Sequence, residues 1–197
     1  MINRTAIASL AIALAACGQQ GATPQEIPDE SPDLPAPAEM PGPEEGVFPS
    51  MITAKASIIG SEGTEIGTAS FLDGPNGELI RIELASGSLA PGWHGLHLHA
   101  TGTCEDVGVF KESGGHHGKV EGAHGLLNHK GPEAGDLPNI WVAEDGSAGY
   151  EAFTRLTALD SLLDEDGSAL IIHESEDDHL TQPIGGAGAR VACGVIQ

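Results

Sequence analysis

From residue 50 onward the chain is written in short apolar or alternating segments separated by turn residues. The segments are 51–59, 66–72, 78–84, 94–99, 139–143, 147–153, 168–173 and 189–196. In the third, Ile80, Ile82 and Leu84 occupy alternate positions, the pattern of a strand with one side against a core. Asp73-Gly74-Pro75-Asn76-Gly77 is a turn between the second and third segments, and Glu144-Asp145-Gly146 joins Trp141-Val142-Ala143 to the strand carrying Tyr150 and Phe153. Such a series predicts an all-β domain, a sandwich or flattened barrel. Two stretches break the pattern: 100–138, rich in Gly and His, and 174–188, rich in acids and Gly. Loops of that length inside a domain commonly carry function.

Ahead of the strands the chain changes character. Arg4 precedes an uncharged, mostly apolar run from Ala6 to Ala16 that is too short to span a bilayer and reads as a secretory signal. Leu14-Ala15-Ala16-Cys17 resembles the bacterial lipobox, in which the cysteine is lipidated and becomes the first mature residue; the alternative is a plain signal cleaved elsewhere. The expectation is a lipoprotein signal peptide over 1–16, lipidation at Cys17, and a place in the cell envelope on its periplasmic or extracellular face. Residues 17–48 hold Pro24, Pro28, Pro32, Pro35, Pro37, Pro41 and Pro43 among acids, with no Lys or Arg, and are expected to form a disordered acidic tether. Residues 49–197 remain as one folded domain, long enough for a sizeable core.

Charge narrows the partners. The chain has 8 Lys plus Arg against 29 Asp plus Glu, a formal net charge of −21. Nucleic-acid binding rests on clustered cations and is excluded on this basis, and an anionic membrane surface is disfavoured for the same reason. With Cys17 lipidated, Cys104 and Cys193 are an even pair in an oxidising compartment, which predicts a disulfide between them.

Nine histidines are the remaining oddity. In His94-Gly95-Leu96-His97-Leu98-His99 a strand presents His97 and His99 on one face, as two ligands to one ion. His116 and His124 follow, then Glu133 and Asp136, and a late strand ends in His173. Imidazole nitrogen suits copper and zinc, and carboxylate oxygen can complete a zinc tetrahedron.

HGLHLH at 94–99, Cys104, Gly114-Gly115-His116, His124-Gly125, GDLPN at 135–139, Ile171-Ile172-His173 and GARVACGVI at 188–196 together resemble the copper-zinc superoxide dismutases, specifically their exported bacterial branch. The resemblance implies an eight-stranded Greek-key β-barrel, an immunoglobulin-like sandwich, with long metal-binding and electrostatic loops. It implies copper on His97, His99, His116 and His173, with His116 shared with zinc and also catalytic. Zinc is then expected on His116, His124, Asp136 and Glu133. It aligns Cys104 and Cys193 with the family's disulfide, Asp177 with a carboxylate that hydrogen-bonds one copper and one zinc histidine, and Arg190 with the active-site arginine. The implied reaction is disproportionation of superoxide to oxygen and hydrogen peroxide.

Glu133 departs from the family, which usually places a third zinc histidine there. Either Glu133 ligates zinc, or the site is weak, empty, or completed by His129 or water. His94 reads as a packed structural histidine, His117 and His129 as solvated loop residues, and His179 has no assigned role. Loop 174–188 carries four acids and no Lys or Arg, so attraction of an anionic substrate is expected to come from Arg190 and the metals. The alternative function on the same fold is an envelope copper-binding or copper-buffering protein with little dismutase activity.

Overall fold

The computed structural model describes residues 53–197; Cys17 and the expected signal peptide and tether lie outside the described residues. Nine strands follow in order: β1 Thr53–Gly60, β2 Glu65–Gly74, β3 Gly77–Leu84, β4 Gly92–His94, β5 Leu96–His99, β6 Ile140–Val142, β7 Ala148–Thr154, β8 Ser168–His173 and β9 Arg190–Ile196. One short helix, α1 (Leu159–Leu162), and a single 3-10 turn at Lys111–Ser113 complete the elements. The helix was not anticipated by the strand pattern.

Seven strands form one curled antiparallel sheet in the order β5-β8-β9-β1-β2-β3-β7, and β4 pairs with β6. β4 and β5 are a single extended run interrupted at Gly95, whose N–H donates to Ser175 O in the acidic loop. Joined, they make the expected eight strands, and the neighbours β5–β8, β9–β1 and β3–β7 are Greek-key crossovers. The β2–β3 hairpin closes at Gly74 opposite Gly77, a two-residue loop of Pro75 and Asn76 within the turn read from sequence.

Alternation explains where each strand faces. Ala54, Ala56 and Ile58 of β1, Ile80, Ile82 and Leu84 of β3, and Leu96 and Leu98 of β5 fill the barrel. β8 is buried along its whole length because both faces are covered. Leu170 and Ile172 point into the barrel, whereas Ala169 and Ile171 join Cys104, Phe110 and Cys193 in a second cluster beneath loop 100–138. Burying a side chain such as Ile171 stabilises by roughly 2 kcal/mol. The long loop is thus part of the packed domain. The expected disulfide pins it to β9: Cys104 and Cys193 are bonded, with Cα atoms 5.9 Å apart.

Candidate metal centre

The leucines of β5 face the barrel, so His97 and His99 face outward, beneath the loop. On one side β5 pairs with β8. On the other, the loop returns and completes the ladder: Leu98 N–H donates to Gly135 O at 2.8 Å, and His117 N–H donates to Leu98 O at 2.8 Å. Bridges form between His97 and Asp136 and between His99 and His116. Gly135 permits this approach, because a Cβ there would collide with Leu98 O. Residues 17 and 37 positions downstream of His99 are thereby set beside the His-x-His pair.

His97, His99, His116 and His173 are all buried, and one ligand atom from each lies within 4.8 Å of the others. One ring nitrogen of each has no hydrogen-bond partner: His97 Nδ1, His99 Nε2, His116 Nε2 and His173 Nε2. Outward partners orient three of these rings. His97 Nε2 is 2.7 Å from Asp177 Oδ2, His99 Nδ1 is 3.0 Å from Gly114 O, and His173 Nδ1 is 3.1 Å from Gly188 O. Burial lowers the pKa of His97 to about 4 and of His173 to about 3, and lowers that of His99 as well. Neutral rings with the proton on the outward nitrogen leave four lone pairs in one dry space. An unpaired buried polar atom is costly, so such convergence fits a metal ion and this donor set fits copper.

The opposite edge of His116 faces carboxylates. Its Nδ1 is 2.9 Å from Glu133 Oε2 and 3.3 Å from Asp136 Oδ1, while His124 Nδ1 is 2.9 Å from the same Asp136 oxygen. The other carboxylate oxygens are held by backbone: Asp136 Oδ2 accepts from Gly125 and Glu133 N–H, and Glu133 Oε1 accepts from Val120 N–H. Burial opposes the His124 charge, but its hydrogen bonds to Asp136 and Asp177 prevail and push its pKa up to about 9. This cluster draws positive charge, and its nitrogen and oxygen donors suit zinc. Donors of His97, His116, His124 and Asp136 also fall within 4.8 Å of one another. His97, however, is oriented by Asp177 with its free nitrogen in the first set.

Asp177 is buried, and its Oδ1 lies 3.3 Å from His124 Nε2, so one carboxylate touches a ring of each set. Asn139 clamps it through its backbone, donating from Nδ2 to Asp177 O and accepting Asp177 N–H at Oδ1. Gly185 leaves the space, since a Cβ there would overlap Asp177 Oδ1. The Asn139 clamp was not read from sequence, although GDLPN contains it. His179 takes φ 60° and donates its N–H to Asp177 Oδ1. His94 is buried, with its ring nitrogens 2.6 Å from His173 O and 2.8 Å from Ala90 O, and ties β4 to the end of β8. His117 reaches Ser161 Oγ at 3.3 Å. His129 is exposed and stands apart from both sets.

Arg190 stands opposite His173 in the β8–β9 register. Its guanidinium donates to Phe110 O, Ser113 Oγ and Gly114 O, and burial lowers its pKa without removing its charge. Beside it opens a cavity of about 320 Å³ reaching His173, lined also by Val109, Lys111, Ile184 and Gly188. Lys111 is a cation at this mouth that sequence reading missed. Its only sequence signal is its position five residues before His116.

Comparison with known proteins agrees with this geometry. A family model described as Copper/zinc superoxide dismutase (SODC) matches residues 65–196. A Cu-Zn superoxide dismutase of Caulobacter vibrioides is 44% identical, the match covering 74% of this chain and 86% of that protein. Among solved structures, a SOD-like protein from Bacillus subtilis superposes with a TM-score of 0.64 at 36% identity, covering 73% of this chain and 97% of its own. The Cu/Zn superoxide dismutase from Brucella abortus superposes with a TM-score of 0.62 at 26% identity, covering 74% and 100%. The chain belongs to the copper/zinc superoxide dismutase family.

Proposed function

We propose that superoxide dismutation takes place at the four-imidazole cluster, with His97, His99, His116 and His173 as copper ligands and His116, His124, Asp136 and Glu133 as zinc ligands. The family binds copper and zinc, and its reaction turns two superoxide anions and two protons into one oxygen and one hydrogen peroxide. The observation that carries the copper assignment is the set of four buried ring nitrogens without hydrogen-bond partners, one from each histidine. When bound, copper supplies a one-electron redox couple and zinc a fixed positive charge.

The chain supplies the rest. His116 presents Nε2 to one set and Nδ1 to the other, so a single ring can serve both ions. A ring in that place can hold a proton at Nε2 and deliver it to the peroxide product. Asp177 fixes the protons of His97 and His124 on their outward nitrogens. Arg190, gripped by the 110–114 segment beside His173, presents a permanent cation to an anionic substrate. Support for Glu133 as a ligand is its buried Oε2, 2.9 Å from His116 Nδ1.

The sequence of residues 1–17 supports export with lipid attachment at Cys17, and the disulfide suits an oxidising compartment. The reading is therefore a lipid-anchored enzyme of the cell envelope, on the periplasmic or extracellular face, with residues 17–48 as its tether and 49–197 as its catalytic domain. His173→Ala tests the site: copper uptake and dismutation should both be lost while zinc is retained. Undiminished copper binding in that variant would refute the ligand assignment.

A further inference from the structure

We propose that the outward apolar row Leu72, Leu79 and Phe153 of the barrel is the docking surface for the chain's own residues 47–52, so that Val47 and Phe48 belong to the folded domain. Strand register defines the row: Thr53 pairs with Leu72, Leu72 with Leu79, and Leu79 with Phe153. The adjacent residues Phe71 and Ile80 fill the barrel, so these three side chains face away from it. The outward rows that follow on the same three strands are different in kind. Ser70, Arg81 and Glu151 make the first, and Thr68, Glu83 and Gly149 the second.

The apolar row is open to water among the described residues. Phe153 is 54% exposed even though its ring rests against the β2–β3 hairpin, where a Cβ on Gly77 would meet Phe153 Cζ at 2.8 Å. Leu72 and Leu79 are half-buried. Three apolar side chains side by side on a sheet face that is otherwise polar mark a surface with an occupant.

The chain supplies that occupant itself. After Glu44-Glu45-Gly46, residues 47–52 read Val-Phe-Pro-Ser-Met-Ile, uncharged and mostly apolar. They lie outside the described residues and lead into Thr53, the residue in register with the apolar row. Phe48 stands five residues before Thr53, a reach of about 16 Å. From β1 to β7 there are three strand spacings, about 14 Å, so Phe48 can meet Phe153. Pro49 has no N–H for a strand ladder, which favours a departure from the line of β1 at that point. Contact between the segment and the row removes apolar surface on both sides from water. A covalently attached segment is also present at an effective concentration in the millimolar range, whereas a formal charge of −21 sets a second copy against the first.

The test is amide exchange read by mass spectrometry on the chain from residue 17 onward, loaded with copper and zinc. Phe153→Asp and Phe48→Asp each place a charge in the proposed contact, and Thr68→Asp places the same charge in a polar outward row. In the wild type the amides of 47–52 should exchange at least about tenfold more slowly than those of 18–44. Phe153→Asp and Phe48→Asp should each abolish that difference while β8 keeps its protection, and Thr68→Asp should preserve it. Equal exchange of 47–52 and 18–44 in the wild type overturns the proposal, as does protection that survives both contact variants. Protection that vanishes on dilution, or that appears only with phosphatidylcholine vesicles, also overturns it and gives the row to a second copy or to lipid. Should Phe153→Asp unfold the barrel, seen as fast exchange in β8, Phe48→Asp decides, because residue 48 precedes every strand.

Discussion

His97 Nε2 lies 2.7 Å from Asp177 Oδ2, with both side chains almost wholly buried. A neutral imidazole has one proton, so this contact fixes it on Nε2 and turns the unpartnered Nδ1 toward the other three rings. The same carboxylate meets His124 through its second oxygen, which makes the orientation of one set dependent on that of the other.

Asp177→Ala should therefore weaken zinc binding by roughly 10- to 100-fold, the usual effect of losing a residue that orients a ligand ring. Competition with a chromophoric chelator measures it. Wild-type zinc affinity in this variant would show that the carboxylate does not orient His124.

Glu133→Ala removes one proposed zinc donor and leaves His116 Nδ1 facing Asp136 alone. Zinc affinity should fall by roughly 100-fold or more, whereas Glu133→His, which substitutes another zinc-ligating side chain, should restore it. Copper content should change far less in both. Equal zinc affinity in the alanine variant and the wild type would remove Glu133 from the site.

The disulfide links residues 89 apart in sequence. In the chain-entropy account a closed loop of that size stabilises by roughly 4.5 kcal/mol. Replacing Cys104 and Cys193 together by serine should lower unfolding free energy by about that amount. It should also loosen the 110–114 segment around Arg190, seen as faster amide exchange there than in β1. Unchanged protection of that segment would argue that packing on Phe110 alone holds it.

Much of the fold is legible from residues whose environment is set by alternation. Ile80, Ile82 and Leu84 announce a one-sided strand, and the eight segments recur as strands with shifts of a few residues at their ends. What escaped depends on contacts distant in sequence. Gly95 splits one extended run into β4 and β5 because its N–H turns to Ser175. The helix at Leu159–Leu162 spans a single turn, too short for a helical period to show. The metal-ligand candidates were readable as residue types at family spacings. The orienting contacts made by Asn139 and Gly188, and the cavity position of Lys111, arise only when separate loops meet.

Glu78 offers a test away from the metals. It points inward from the start of β3, buried, with neither carboxylate oxygen hydrogen-bonded. Burial, and then the charge of Asp73, raise its pKa from 4.5 to about 7. The folded state binds this proton more tightly than the unfolded chain does. The associated stability is fully present below about pH 4.5 and is lost as pH rises through about 7. After allowance for screening at the barrel end, the loss is about 2 kcal/mol. Urea unfolding of the wild type and Glu78→Gln at about pH 5 and about pH 8 should show the variant gaining that much relative to the wild type at the higher pH. An equal difference at both pH values would contradict the assignment.

Two adjoining donor sets, sharing His116, are proposed to hold copper and zinc and to make the protein a dismutase. The most direct measurement is metal content and superoxide dismutation rate determined on one sample of the reconstituted protein. One copper and one zinc per chain with rapid dismutation are expected, both removed by chelation and restored by the two metals together. Stoichiometric copper with negligible dismutation would contradict it and identify a copper-buffering protein built on the same barrel.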